Sequence, residues 1–330
     1  MTGTNQLIQW NENLQFIISD VDETVADIYT PADPAMTKEL TALLREGLPI
    51  LFVTGQVLKN VQQRVINLIP QGLRSRILVG HCSGAEVWGF DASGNLQSTP
   101  YYSVYETAMT DQQKQQWRKI VQQIVTEFGF DVHPVMALDQ FAATAGSHPL
   151  TIMLEDRGPQ ITFEIVNGYD LSPEQADQLN LSIPKMHGAI DLRVPIQQRA
   201  NQLFQDAGLP ITARLAGTFA IDTAVEGVSK TTAIQFVLDN DNLLSQLGLD
   251  RQTLQNPHNM EVWGDKFSVI RGGTDRHMSA ALPKQVRSID FRDEDPAEFP
   301  EGYNIVLWNG HHHLHHGLLD YLKSRQNRIV

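Results

Sequence analysis

Asp20 and Asp22 stand two residues apart directly after the apolar run LQFIIS, with Thr24 two residues further on. An aspartate at the end of a buried strand can attack phosphorus and carry it as an acyl phosphate. A second carboxylate beside it can hand a proton to the departing oxygen. Two carboxylates so close repel each other, and a divalent cation relieves the repulsion. Mg2+, which favours a few carboxylates together with water and phosphate oxygens, suits such a pair. Taken alone, the same residues read equally well as turn formers at a strand-to-loop junction.

Three more residues keep the same company. Thr54 closes a second apolar run, LPILFVTGQ, where its hydroxyl and the backbone N–H groups beside Gly55 could receive a phosphate oxygen. Lys230 opens a helical stretch in GVSKTTAI, where an ammonium could balance a phosphate and a nucleophile together. Asp265 closes the run MEVWGD and could complete a metal site. Singly, Thr54 reads as a cap, Lys230 as a solvated lysine and Asp265 as a turn former. In sequence order, each at a strand end or a helix start, they point to one crevice at the carboxyl ends of parallel strands.

The elements that must position them are legible in outline. Leu14–Ser19, Leu48–Val53 and the run RILVGHCSG read as strands buried on both faces, and 35–46 and 57–69 as the helices between them. Strand–helix alternation predicts an α/β parallel sheet with right-handed crossovers. From about 90 to 215 the pattern changes. A long helix over 111–128 precedes two strands, 151–155 and 160–166, joined by the turn sequence DRGP, and a helix follows over 196–207. That predicts an α+β insertion. The α/β pattern resumes with a helix in KTTAIQFVLD and strands in MEVWGD and YNIVLWNG.

These motifs resemble, in order, those of the haloacid dehalogenase superfamily: DVDET (Asp20–Thr24), VTG with Thr54, GVSK with Lys230, and WGDKFSVIRGGTD with Asp265 and Asp275. The resemblance implies a Rossmann-like α/β core made of residues 1–89 and 216–330, with an α+β cap at 90–215 inserted between the second and third motifs. It implies Asp20 as nucleophile and Asp22 as general acid and base, with Thr54, Gly55 and Lys230 on the phosphate. Mg2+ would be held by Asp20, Asp265 and the backbone carbonyl of Asp22. The flanks SGAEVWGFDASGNL and TFAIDTAVEGVSK are similar to the branch that holds sucrose-phosphate and trehalose-phosphate phosphatases and phosphomannomutases, whose cap selects the substrate. The implied activity is a Mg2+-dependent phosphatase of a small phosphorylated metabolite, a sugar phosphate. The rivals are a phosphomutase, which GDK followed by GG also resembles, and a non-catalytic module that binds a phosphorylated ligand.

The sequence departs from the family's pattern at several points. Glu23 stands where sugar-phosphate members often carry Gly, which makes the loop less permissive and more acidic. Motif four is longer than usual, with Thr274 where Asn is common. That leaves Asp275 and Thr274 as residues behind the site, Asp275 orienting Lys230 or a metal-bound water. Cys82 and Ser83 replace the residues usual before the Gly-Ala step.

Outside the motifs, NGHHHLHHG (309–317) holds five of the eleven histidines, with His311/His315 and His312/His316 at the spacing that shares one helix face. It has no acidic or cysteine ligand of its own and reads as an exposed helix start that binds metal only adventitiously. In the insertion, His148, Lys185, His187, Asp191 and Arg193 could meet sugar hydroxyls or a second anionic group, but residues of this kind are mostly solvated loop residues. The acidic stretch SIDFRDEDPAEFP (288–300) has no assigned purpose.

Composition excludes other classes. The 330 residues carry 25 Lys+Arg against 38 Asp+Glu, a net charge of -13. Such a surface repels phosphate backbones and anionic lipid heads, so neither nucleic acid nor membrane is an expected partner. The single cysteine, Cys82, forms no internal disulfide. No apolar run approaches the roughly 18 residues that span a bilayer, and MTGTNQLIQWNEN lacks a basic stretch followed by an apolar one, so no signal peptide is expected. A cytoplasmic protein is the expectation, with oligomeric state left open.

Overall fold

The run Phe16–Ser19 forms a strand because its side chains alternate between two apolar layers. Ile17 joins the cluster holding Leu40, Leu44 and Leu318, while Phe16 and Ile18 join the cluster holding Ile234, Val237 and Met278. A computed structural model describes residues 7–179, 185–186, 189–217 and 219–325. Its strands are β1 (Phe16–Ser19), β2 (Ile50–Val53), β3 (Ile77–His81), β4 (Glu86–Gly89) and β5 (Tyr102–Ser103). The insertion contributes β6 (Asp131–His133), β7 (Thr151–Asp156), β8 (Gln160–Glu164), β9 (Lys185–Met186), β10 (Ala189–Ile190), β11 (Ile211–Ala216) and β12 (Ala220–Val225). β13 (Met260–Gly264), β14 (Arg287–Asp290) and β15 (Ile305–Leu307) follow.

The chain divides into two units, Met1–Tyr102 with Ser229–Val330, and Ser103–Val228. The first holds the sheet β15-β14-β13-β1-β2-β3-β4-β5. Its pairs from β15 to β3 are all parallel, as expected, and β4 adds an antiparallel strand against β3. Helices cover both faces, so this unit is α/β. The helix Pro34–Arg45 starts where Asp33 accepts from the Ala35 N–H at 2.8 Å with Pro34 in the first turn, and Gly47 follows it at φ 97°. The helix expected over 57–69 stops at Arg64 and gives way to a 3-10 turn, Ile66–Leu68. Val65 already leaves helical backbone (φ -130°, ψ -60°), and Pro70 keeps Ile69 extended.

The second unit is α+β. Its sheet runs β11-β12-β8-β7-β6, antiparallel except for β6 with β7. The helix Asp111–Phe128 is fixed by a capping box between Thr110 and Gln113 and by left-handed Gly129. It packs Trp117, Ile120 and Ile124 in the interior, with the Trp117 indole N–H donating to Thr223 on β12 at 3.2 Å. The unit boundaries fall at 103 and 228 where the sequence suggested 90 and 215. The segment TFAIDTAVEGV looks like the core's own flank, but β12 is paired along its length with β11 and β8 and belongs to the inserted sheet. At the other end β5 joins the edge of the first sheet.

Among the inserted residues singled out above, Asp191 is buried and holds Arg193 at 2.6 Å, an internal ion pair and not a solvated loop residue. His148 accepts from the Leu150 N–H in a turn. His187 lies outside the described residues. The histidine tract also departs from its helical reading. The last helix begins only at Leu314, so His311 and His312 precede it and share no helix face with His315 and His316. His312 bonds Asp320 at 2.7 Å. Among the described residues no helix is long and apolar enough to cross a membrane.

Candidate active site

Each predicted residue comes to the carboxyl edge of the parallel sheet by its own element. Asp20 follows β1, Thr54 follows β2 and Asp265 follows β13, while Lys230 begins the helix Lys230–Leu238. Because β13, β1 and β2 are neighbours in register, residues 245 positions apart in the chain arrive side by side. The Asp20 N–H donates to the Trp263 carbonyl at 2.9 Å and the Thr54 N–H to Gly80 at 2.9 Å, so the ladders continue into the site.

Lys230 organises the centre. Its Nζ donates to Asp20 Oδ1 at 2.5 Å and to Asp275 Oδ1 at 2.7 Å, and all three residues are buried. Asp275 Oδ2 accepts from the backbone N–H groups of Asp265 (2.8 Å) and Lys266 (3.0 Å), which fixes the loop after β13. Gly264 is required there, since a Cβ would sit 2.6 Å from Asp275 Oδ2. Burial pushes the Asp20 carboxyl well above the ordinary range; Lys230 opposes the shift, and Asp275, Asp265 and Asp22 reinforce it. Burial also works against the Lys230 ammonium, but Asp20 and Asp275 outweigh it and hold the amine charged. Asp265, fully buried, is pushed up to about 6, chiefly by burial.

Comparison with known proteins decides the fold. No family model matches the chain, and no curated protein matches it in sequence. A haloacid dehalogenase-like hydrolase from Bacteroides thetaiotaomicron superposes over 94% of this chain and 99% of its own, with a TM-score of 0.53 at 11% identity. This chain has the haloacid dehalogenase fold. A variant of the IMP-nucleotidase of Plasmodium falciparum with IMP bound superposes over 96% of this chain and 68% of its own, with a TM-score of 0.50 at 13% identity.

In this haloacid dehalogenase fold, one carboxylate oxygen from each of Asp20, Asp265 and Asp275 lies within 4.8 Å of the others. The donors are hard oxygens with no Cys or His among them, which fits Mg2+ better than a transition metal. Both Asp275 oxygens are already committed to Lys230 and to backbone amides, so Asp20 and Asp265 are the better ligands. Two buried carboxylates held above their ordinary range are groups that gain from a cation.

Several residues of the site were not anticipated. Arg64, at the end of the helix Leu58–Arg64, donates to Asp22 Oδ1 at 2.6 Å, and its other N–H groups hold the carbonyls of Thr30 and Asp27 at 2.7 Å. Arg292 donates to Asp265 Oδ2 at 2.7 Å and also pairs with Glu23, while Lys266 holds Glu23 at 2.7 Å. Thr24 donates to Asp265 Oδ1 at 3.3 Å. Basic residues at helix ends and in loops carry no spacing signal, and only the fold delivers them. The acidic stretch 288–300 gains a purpose. Glu294 accepts from the Phe267 and Ser268 N–H groups at 2.5 and 2.8 Å, and Glu298 accepts from Ser268 Oγ at 2.6 Å, so the stretch braces the loop of motif four. Thr54 caps the turn after β2, its Oγ accepting from the Gln56 N–H at 3.1 Å, and Gly55 sits between them. Thr274 accepts from His277 through its backbone carbonyl.

The departure at Cys82-Ser83 has a backbone meaning. Cys82, Ser83 and Gly84 all take positive φ (50°, 57° and 91°) after β3. A Cβ on Gly84 would sit 2.5 Å from the Ser229 carbonyl, directly before Lys230. Gly84→Ala is therefore expected to lose about 1–3 kcal/mol, from strain at positive φ and from the collision. Its denaturant midpoint, compared with the wild type, measures the loss.

The raised carboxyls also set a pH dependence. An acid whose folded pKa is raised contributes stability in full below its unfolded pKa and loses it as pH rises through the folded value. For Asp265 that window runs from about 4 to about 6. Asp290, pushed up to about 7 chiefly by burial, acts in the same direction. Metal-free protein is expected to melt several degrees lower at pH 7.5 than at pH 5. A divalent cation taken up by Asp20 and Asp265 would offset the part of that loss that comes from those two carboxylates, which a thermal melt at pH 7.5 with and without the ion reads.

Proposed function

We propose that the protein is a Mg2+-dependent phosphatase of a small phosphorylated metabolite, of the sugar-phosphate class, working through an aspartyl-phosphate in the cytoplasm. The observation that carries the reading is the buried chain Asp20–Lys230–Asp275 at the strand ends, with Asp265 beside it. The desolvation cost of such a buried ion pair can exceed its Coulombic gain, so a contribution to stability does not by itself account for it.

Asp20 attacks phosphorus through a carboxylate oxygen, and the bond from phosphorus to the ester oxygen breaks. Asp22, turning from Arg64, gives its proton to the departing alkoxide. It then takes a proton from water, whose oxygen attacks phosphorus, and the bond to Asp20 breaks to release phosphate. Lys230, the Thr54 hydroxyl and the Gly55 backbone hold the phosphoryl oxygens in place. Mg2+, when held by Asp20, Asp265 and the Asp22 carbonyl, supplies positive charge against the oxygens of the transferring group.

The sugar-phosphate class is supported by the resemblance of the motif flanks. A panel of sugar phosphates and nucleoside monophosphates, assayed for phosphate release with and without Mg2+, tests the reading. Metal-dependent release from sugar phosphates is expected. Preference for nucleoside monophosphates would keep the reaction and overturn the class. Isomer interconversion dependent on a bisphosphate would replace hydrolysis with a mutase. No release from any phosphoester would overturn the enzyme.

A further inference from the structure

Among the described residues, two cations lie beside Asp265 Oδ2: Lys266, whose Nζ stands off at 3.7 Å, and Arg292, which alone is in hydrogen-bond contact with it. Arg292 reaches that oxygen with both Nη2 (2.7 Å) and Nε (3.0 Å), and Nε also lies 3.2 Å from the Asp265 carbonyl. The approach is built into the backbone. Phe291 N–H donates to the Gly264 carbonyl at 2.9 Å and Arg292 N–H to Asp290 Oδ1 at 2.6 Å, so the loop after β14 is stapled to the end of β13. A planar guanidinium fork is well suited to a carboxylate that has lost its water.

The far side of Arg292 is held by Glu23. Glu23 sits in left-handed backbone at φ 62°, a conformation a non-glycine residue keeps only where its surroundings demand it. The Glu23 N–H donates to the Ala26 carbonyl at 2.7 Å, and Lys266, 2.7 Å away, and Arg292 both hold the same oxygen of its carboxylate. Glu23, Lys266, Asp265 and Arg292 together carry two negative and two positive charges, so this corner of the site is neutral with no metal present. A divalent ion on Asp265 would bring two more positive charges beside a guanidinium already in contact with that carboxylate, and like charges at such range repel strongly in a buried site.

We propose that Arg292, anchored by Glu23, is the resident counter-cation of Asp265 and competes with the divalent ion for that carboxylate. The inference rests on the reading that the cation binds at Asp20 and Asp265. Arg292 leaves Asp265 as the ion enters and keeps Glu23 as its partner. Glu23 thereby makes metal entry possible and Arg292 makes it weak, so the site holds Mg2+ exchangeably and keeps its fold without it.

The test is calorimetric titration of Mg2+ into the metal-free full-length protein and three variants. Arg292→Gln should bind Mg2+ at least tenfold more tightly than the wild type, a gain of about 1.4 kcal/mol. Glu23→Gln should bind it at least threefold more weakly, because it removes a negative charge and leaves Arg292 wholly to Asp265. The two variants break the same ion pair, so mere loosening of the loop would move both in one direction. Movement in one direction, or no change in Arg292→Gln, overturns the proposal. Arg292→Lys keeps the charge and serves if Arg292→Gln does not fold without metal. It should stay within about threefold of the wild type, and a tenfold gain there would likewise overturn the proposal. Absence of Mg2+ binding in the wild type and in every variant would instead overturn the metal-dependent reading on which it rests.

Discussion

Asp20→Asn is expected to abolish phosphate release, by at least on the order of 10^4-fold, while leaving the protein as stable as the wild type or more so. The loss follows from the role proposed above: if Asp20 is the nucleophile, no acyl phosphate forms without its carboxylate oxygen, and groups acting as a unit lose most of their effect when one is removed. The stability follows from the site. Burial, Asp275, Asp265 and Asp22 disfavour charge at Asp20 and outweigh Lys230, which favours it, so a neutral amide of the same shape removes a cost. Lys230 keeps Asp275 as its partner at 2.7 Å. Steady-state phosphate release and a urea melt on the same preparation check both halves. A variant that keeps a tenth of the activity would exclude Asp20 as the nucleophile, and one that unfolds would show that Asp20 is chiefly structural.

Lys230→Met is expected to lose both activity and stability. The ammonium is 3% exposed and is the shared donor between Asp20 and Asp275. Methionine keeps most of the stem volume but leaves two buried carboxylates facing each other without their cation. Removing one partner of a buried charge pair typically costs about 3–5 kcal/mol. The remaining carboxylates should take up protons to compensate, so the variant should recover stability below pH 5 more steeply than the wild type. Turnover should fall by on the order of 10^2 to 10^3-fold, the usual cost of losing one preorganised positive group at a reacting oxyanion. A denaturant series at about pH 4 and pH 7.5 separates the effects. Equal losses at both pH values would mean that the lysine acts by packing and not by charge. The two substitutions are expected to differ in their effect on stability because Lys230 answers two carboxylates, whereas loss of Asp20 still leaves it Asp275.

Much of this site was legible in the chain itself. DVDET, VTG, GVSK and WGD each follow or open an element whose apolar pattern is unambiguous. Each apolar run ends at one of Asp20, Thr54 and Asp265, and the carboxyl ends of parallel strands share one edge of the sheet, which is why the three could be placed together from the sequence. The helix expected over 111–128 is found with those bounds, and the structure shows what sets them: a capping box between Thr110 and Gln113 and left-handed Gly129. The end of the inserted unit was not readable. β12 and a core strand look alike in sequence, and only pairing with β8 and β11 assigns β12 to the second sheet.

What the sequence determined by itself, then, is the α/β class, the order of the motifs and the carboxylates at the strand ends, because local apolar periodicity dictates those. The tertiary structure alone decided which cations answer them. Arg64 comes to Asp22 from 42 residues away and Arg292 to Asp265 from 27. Glu23 meets both Lys266 and Arg292 across more than 240 residues. Long basic side chains reach several ångströms from any backbone position. Their partners are therefore fixed by how strands and loops pack in space, and no local spacing rule records that.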